Sequence, residues 1–156
     1  AGIIGGTLLA LMVALGAWAH YRITLTRFES RREETVGINP LDGHFSKKRL
    51  KLADFFHPFY KATTAAKFEE CELLGPAAVF LLSPQMLHCI FEGCEAVIVK
   101  DKIDVIGAMA FAHCTFDRCH FYKVTFLVSK EQYLATKSAT GGEVWPVISD
   151  GRAGDL

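Results

Sequence analysis

Large apolar residues recur every five positions along Met109 to Phe126, MAFAHCTFDRCHFYKVTF, at Phe111, Phe116, Phe121 and Phe126. Two positions before each stands Met109, Cys114, Cys119 or Val124. A helix of period 3.6 or a strand of period 2 does not put every fifth residue on one face, so the spacing predicts a repeat of its own, a coil that turns a corner every five residues. The frame runs backwards through Cys89 with Phe91, Cys94 with Ala96, Val99 with Asp101 and Asp104 with Ile106, where the two Asp are breaks. An earlier run keeps the spacing in a shifted frame: Ala66 with Phe68, Cys71 with Leu73, Pro76 with Ala78. The three-residue slip near His88 predicts a bulge or loop between coils.

The alternation of a small or sulfur side chain with a large one resembles the pentapeptide-repeat family, with Cys and Phe where that family usually has Ala and Leu. The lines FEECELLGPAAV from Phe68 and GAMAFAHCTFDRCHF from Gly107 are similar to short bacterial proteins of uncharacterised function. The resemblance covers Phe68 to Phe126 and implies a mainly β fold, a small right-handed parallel β-helix, with no catalytic residues to carry over. In such a fold Phe68, Cys71, Leu73, Cys89, Phe91, Cys94, Phe111, Cys114, Phe116, Cys119, Phe121 and Phe126 point inward. With about twenty residues to a turn, as the resemblance implies, Phe91 stacks beneath Phe111 and Cys94 beneath Cys114, about 4.8 Å apart.

The amino end carries a different pattern. From Gly2 to Ala19 no residue is charged, a length that just suffices to cross a bilayer core as a helix. Trp18, Tyr21 and Arg22 mark a membrane interface, and Arg27, Arg31 and Arg32 follow, which sets the carboxyl side in the cytoplasm and the amino end outside. Ala17-Trp18-Ala19 has the small-x-small form of a signal cleavage site, but no positive region precedes it, so an uncleaved anchor is expected. Gly2, Gly6, Ala10 and Ala14 form a small-residue stripe that allows close approach of a second membrane helix, although such residues are common in membrane spans.

The expected organisation is a transmembrane helix over 1–21, a charged stalk and coil cap over 22–62, the coiled domain over 63–128, and a terminal cap and tail over 129–156. The stalk continues the helix until Gly37 and Pro40. Leu50 and Leu52 alternate with Arg49 and Lys51 as in an edge strand capping the first turn. Gly75-Pro76 reads as a corner, Ser83-Pro84 as the start of a loop, and Lys100-Asp101-Lys102 as an outward bulge. SKEQYLATK from Ser129 predicts a Ser-capped helix, Ser138 to Gly142 a hinge, and Trp145 an apolar contact folded back on the domain or held by another protein.

Composition narrows the chemistry. Net charge is zero, which removes a global field for nucleic acid, and the 51% hydrophobic content is concentrated at the amino end. Five cysteines, with no C-x-x-C, fit reduced core thiols in a cytosolic compartment. His88, His113 and His120 neighbour cysteines in sequence and so face away from them, which gives zinc no converging ligands. No hydrolase, Walker, dinucleotide or zincin motif is present, and pairing His113, Asp117 and His120 as acid and base has little support. The sequence therefore predicts a non-catalytic, single-pass protein of the bacterial inner membrane, without metal or cofactor. Its partners are the lipid bilayer and other integral membrane subunits, for which it is an accessory or scaffold, and nucleic acid is not among them. The alternative is a membrane-associated β-helix that stacks end to end, as bactofilins do. DNA-mimicking pentapeptide proteins would need a strongly acidic face, which is absent.

Overall fold

The computed structural model describes residues 2–33, 37–56, 62–100, 105–140, 142 and 145–149; the side chains of 2–10, 28–29, 31–33, 140 and 149 lie outside the description. It divides into two units, Ala1–Thr35 and Val36–Leu156.

The first unit is one helix, α1 (Gly2–Glu33), which runs without interruption from the uncharged stretch into the charged one. Leu11, Met12, Val13, Leu15, Trp18 and Tyr21 are exposed along it, and the Arg22 guanidinium lies 5.8 Å over the Trp18 ring. Among the described residues, no helix is long and apolar enough to cross a membrane.

The second unit is mainly β, and all its pairings are parallel. Its strands are β1 (His44–Ser46), β2 (Arg49–Lys51), β3 (Thr63–Thr64), β4 (Lys67–Glu69), β5 (Glu72–Leu82), β6 (Gln85–Leu87), β7 (Ile90–Glu92), β8 (Glu95–Ile98), β9 (Met109–Ala112), β10 (Thr115–Asp117), β11 (His120–Val128) and β12 (Val147–Ser149). A 3-10 turn, Leu52–Phe55, follows β2, and helix α2 (Lys130–Thr140) follows β11.

The strands stack in four columns. Column one runs β3, β9 and the end of β5, with Phe111 between Thr63 and Leu81. Column two runs β1, β4, β10, β6, with Phe45, Phe68, Phe116 and Met86 in register. Column three places Leu50, Leu73, Phe121 and Phe91 in register, and column four joins β5, β11, β8 and β12. Central residues point inward because alternate side chains of a strand face opposite sides. Phe45, Phe68, Phe111, Phe116, Phe121 and Phe126 are all at most 1% exposed.

The order of the layers differs from the order of the chain. The run β9 to β11 lies between β3–β5 and β6–β8, so that Thr115 faces Lys67 on one side and Gln85 on the other. The expected stacking of Phe91 on Phe111 and Cys94 on Cys114 is corrected accordingly: Phe91 stacks on Phe121, with ring centroids 5.3 Å apart, and Cys94 reaches the Phe121 carbonyl. The frame slip also has a different origin. No loop forms near His88; β5 runs straight on to Leu82, with Val79 facing both Phe126 and Met109, and passes from column four to column one without a corner. This shortens the path and shifts the frame. Ser83-Pro84 is a single-residue corner between β5 and β6.

Corners follow one rule. Lys47, Ala65, Glu70, Ser83, His88, His113, Arg118 and Lys123 have φ between 48° and 56°, and Gly93 has 61°. Each precedes a place in the inward small-residue frame or its edge equivalent, and the left-handed backbone turns the chain from one column to the next in one residue. Such a conformation costs a non-glycine residue roughly 1–2 kcal/mol, which the layer hydrogen bonds must offset. Gly75-Pro76 is a corner as expected: inside β5 it joins column three to column four, beside a register shift opposite the Lys123 corner. A Cβ on Gly75 would collide with the Lys123 carbonyl oxygen, so only glycine fits there.

Two segments close the ends of the stack. Phe55 packs edge-on against Phe45 and Phe68 of column two and tilted on Phe111 of column one. At the other end Ala96 leaves room where the repeat usually has a large side chain, and Trp145 fills it, stacked 4.5 Å from Phe126 and edge-on to Phe91. The indole is buried, so of the two expectations for Trp145 the first holds: it is a core residue folded back on its own domain. Ser129 accepts from the Gln132 N–H and donates its own N–H to Gln132 Oε1, a capping box that starts α2. α2 runs through Ser138 to Thr140, where a hinge was expected. Asp101 and Lys102 of the expected bulge lie outside the described residues.

Phe116→Ala should lower unfolding stability by about 3–5 kcal/mol in a urea titration, because the ring is sealed among Phe68, Phe111 and Phe121. Phe56→Ala, at a half-exposed position, should change it by no more than about 0.5 kcal/mol. Equal losses would contradict the inward assignment of the repeat.

Candidate functional site

Three arrangements in the second unit bring reactive or charged groups together. The first is a row of thiols. Because β5, β11 and β7 are in register, Cys71, Cys119 and Cys89 stand one above another before Leu73, Phe121 and Phe91. Each donates to a carbonyl of the adjacent layer: Cys71 to Phe45, Cys119 to Phe68 and Cys89 to Phe116, at 3.4 Å. Cys114 and Cys94 do the same to Thr63 and Phe121. The thiol thus adds a side-chain hydrogen bond to a carbonyl of the adjacent layer that a methyl group at the same place could not make, which gives a reason for Cys where the related pattern has Ala.

All five cysteines are free thiols. Burial pushes the pKa values of Cys89, Cys94 and Cys114 up. The neighbouring Cys71 thiol and burial raise Cys119 as well. Cys71, Cys94, Cys114 and Cys119 are buried, so neither a nucleophile nor a ligand is offered to solvent there. Among the described residues, no three His, Cys, Asp or Glu side chains converge as metal ligands.

The second arrangement is a charged outer corner. Stacked corner residues link Lys47 to Glu70 at 3.8 Å and Glu70 to Arg118 at 3.1 Å, and Arg118 reaches Asp117 at 3.2 Å. His88 lies 4.0 Å from Asp117. Beside it His44 meets Glu69 at 2.8 Å, and Lys67 and then His44 pull the Glu69 carboxyl below its ordinary range. Arg49 meets Glu72 at 2.6 Å. His113, Asp117 and His120 are not brought together as one cluster: His113 is a separate corner, Asp117 joins Arg118, and His120 Nε2 lies 3.2 Å from Glu92. These pairs match signs between layers and hold register, each worth at most about 1 kcal/mol at the surface.

The third arrangement is the end formed by β6, β7, α2 and β12. Leu87, Ile90, Leu134 and Ile148 are exposed on these elements, and a groove of about 720 Å³ is lined by Met86, Cys89, Phe91, Gln132 and Trp145 among others. A second groove, of about 580 Å³, lies at the opposite end between Asn39–Gly43, Phe55 and Met109. Compared with known proteins, the chain matches no family model, no curated protein and no solved structure. The site is therefore argued from its own geometry.

That geometry separates the expected site residues. Phe68, Cys71, Leu73, Cys94, Phe111, Cys114, Phe116, Cys119, Phe121 and Phe126 are buried, while Cys89 and Phe91 are half-buried at the open end. Of the membrane-helix stripe, Ala14 is exposed, and the side-chain positions of Gly2, Gly6 and Ala10 lie outside the described residues. Trp18, Tyr21 and Arg22 are exposed on α1. Sequence reasoning missed the corner column Lys47, Glu70, Arg118, His88; its signal was a polar residue immediately before each inward cysteine.

The thiols make alkaline stability a test. A buried thiol with a raised pKa stays protonated in the folded chain when the unfolded chain ionises, so its contribution is complete below its ordinary pKa of 9.0 and is lost as pH rises beyond it. Wild-type stability should fall above pH 9, and Cys114→Ala should remove up to about 1.4 kcal/mol per pH unit of that slope, read by denaturant titration at several pH values. Identical slopes would show that Cys114 titrates in both states alike.

Proposed function

We propose that the chain is a non-catalytic, single-pass membrane protein, an accessory or scaffold subunit of a larger membrane assembly in the bacterial inner membrane. On this reading α1 is the anchor, the amino end is outside, and the stacked columns are a cytoplasmic right-handed parallel β-helix of the pentapeptide kind. The observation that carries it is the character of α1: one uninterrupted helix whose uncharged stretch from Gly2 to Ala19 leads into Arg22, Arg27, Arg31 and Arg32, with Leu11, Met12, Val13 and Leu15 all exposed. Apolar side chains displayed in this way need lipid or protein around them. Free thiols throughout agree with a reducing compartment for the second unit.

The second unit supports the scaffold part. Its ion pairs run from layer to layer, and Leu87 and Ile90 are exposed on neighbouring strands β6 and β7. End-to-end stacking of copies is the weaker reading. Leu52–Phe55 packs against β5 at one end of the stack, and β12 pairs with β8 at the other. A second copy laid in register on β6 and β7 would drive its own Leu52–Phe55 into β12.

Membranes from the native source, washed with carbonate and then extracted in mild detergent, test the proposal. The chain should stay with the membrane through the wash and purify in a particle with stoichiometric, unrelated integral subunits. Leu11→Arg should weaken membrane retention, since a central Arg costs a spanning helix about 2.5–3.5 kcal/mol. Release by carbonate, or a particle made of this chain alone, would overturn it.

A further inference from the structure

β6 and β7 end columns two and three, and among the described residues no strand pairs with their outer edges. Gln85 and Ile90 donate their N–H groups to Cys114 and Cys119, and Leu87 accepts from the Arg118 N–H. Successive residues of a strand turn their polar groups to opposite neighbours, so the N–H and C=O of Met86 and Phe91 point to the open edge. Such groups require partners.

The two ends of the stack are treated differently. At the β1–β2 end stand Lys47, Lys48, Arg49 and Lys51, and the Lys48 ammonium lies 6.0 Å over the Phe45 ring. Lysines on an edge discourage further strand pairing. The β6–β7 edge, Gln85-Met86-Leu87-His88-Cys89-Ile90-Phe91-Glu92, has no Lys or Arg. Leu87 is 51% and Ile90 61% exposed, and the inward Met86 and Phe91 are only half-covered. In the next column of the same layer the chain has already added a strand of its own: β12 pairs with β8, and Ala96 donates to the Pro146 carbonyl at 2.9 Å.

The geometry points to strand addition at this edge: β6 and β7 receive an extended segment of a partner protein, laid parallel and continuing the layer that β12 begins. The segment presents an apolar residue over Met86, a small one over Cys89 and a second apolar residue over Phe91, five positions after the first. Main-chain hydrogen bonds supply affinity in this mode, and the alternate side chains supply selectivity. A bilayer does not fit the site, since hydrocarbon leaves the Met86 and Phe91 backbone groups without partners. A second copy does not fit, because its Leu52–Phe55 turn meets β12.

This inference rests on the accessory-subunit reading and names the surface through which the second unit takes part. To test it, a photo-cross-linking residue is placed at Leu87 or Ile90, and separately at Leu11 on α1, in the full chain in native membranes. Adducts from Leu87 and Ile90 should map to one segment of one partner with apolar residues five apart. Amide exchange at Met86 and Phe91 should be at least about ten-fold slower in the purified particle than in the chain alone. The pair Leu87→Asp and Ile90→Asp, at exposed positions, should abolish the slowing while leaving the melting temperature of the chain unchanged. Adducts to lipid or to a second copy, or unchanged exchange at both amides, would overturn strand addition. If Leu11 alone gives a protein adduct, the accessory-subunit reading stands and this surface falls. If no position gives one, both fall.

Discussion

Phe45, Phe68 and Phe116 lie nearly face to face, 5.0 and 4.9 Å apart, and this ring-on-ring contact is possible only while successive strands stay in register. The strands are mostly three or four residues long, too short to persist as isolated pairs. What holds them is the column: a slip of one residue would carry every ring to the outside. Corner strain, thiol hydrogen bonds and surface ion pairs all depend on that register. The left-handed corners are tolerated because the hydrogen bonds between layers fix both flanks, and the charges pair because the corners stack.

Thiols and charges divide the work between the inside and the outside of the same corner. Inside, the Cys71–Cys119–Cys89 row bonds carbonyls of the adjacent layer, so each layer is tied to its neighbour by side chains as well as backbone. Outside, Glu70, Arg118 and Asp117 alternate in sign. Register is thus specified twice at one place. This leaves the remaining surface free of structural duty, and the exposed apolar residues of β6, β7, α2 and β12 stand apart as the region with no such local explanation.

The repeat, its inward residues and the capped helix after Ser129 were legible because each is a local signal: a five-residue period, or a Ser followed by Gln three positions later. The stacking order was not. Nothing in the spacing says which turn lies on which, and assuming consecutive turns put Phe91 under Phe111 where the molecule puts it under Phe121. The one trace was the frame slip, which reads as a loop but is the straight passage of β5 past a missing corner. Trp145 was ambiguous for a related reason: the vacancy it fills, above Phe126 at Ala96, exists only in three dimensions. For the surface, the period identifies which residues face outward, but pairing them needed the column partners. His113, Asp117 and His120 share an outward direction and still fall on separate corners and faces.

The placement of β9, β10 and β11 between β3–β5 and β6–β8 sets the ribosome's order against the molecule's. Synthesis delivers both outer layers before the one that belongs between them. A nascent chain that has reached Ile98 holds two runs of strands with the same five-residue period and no native partner between them, and closing those runs directly on each other would make a shorter stack with a full set of hydrogen bonds and the wrong neighbours. Avoiding that trap is a kinetic demand placed on the growing chain.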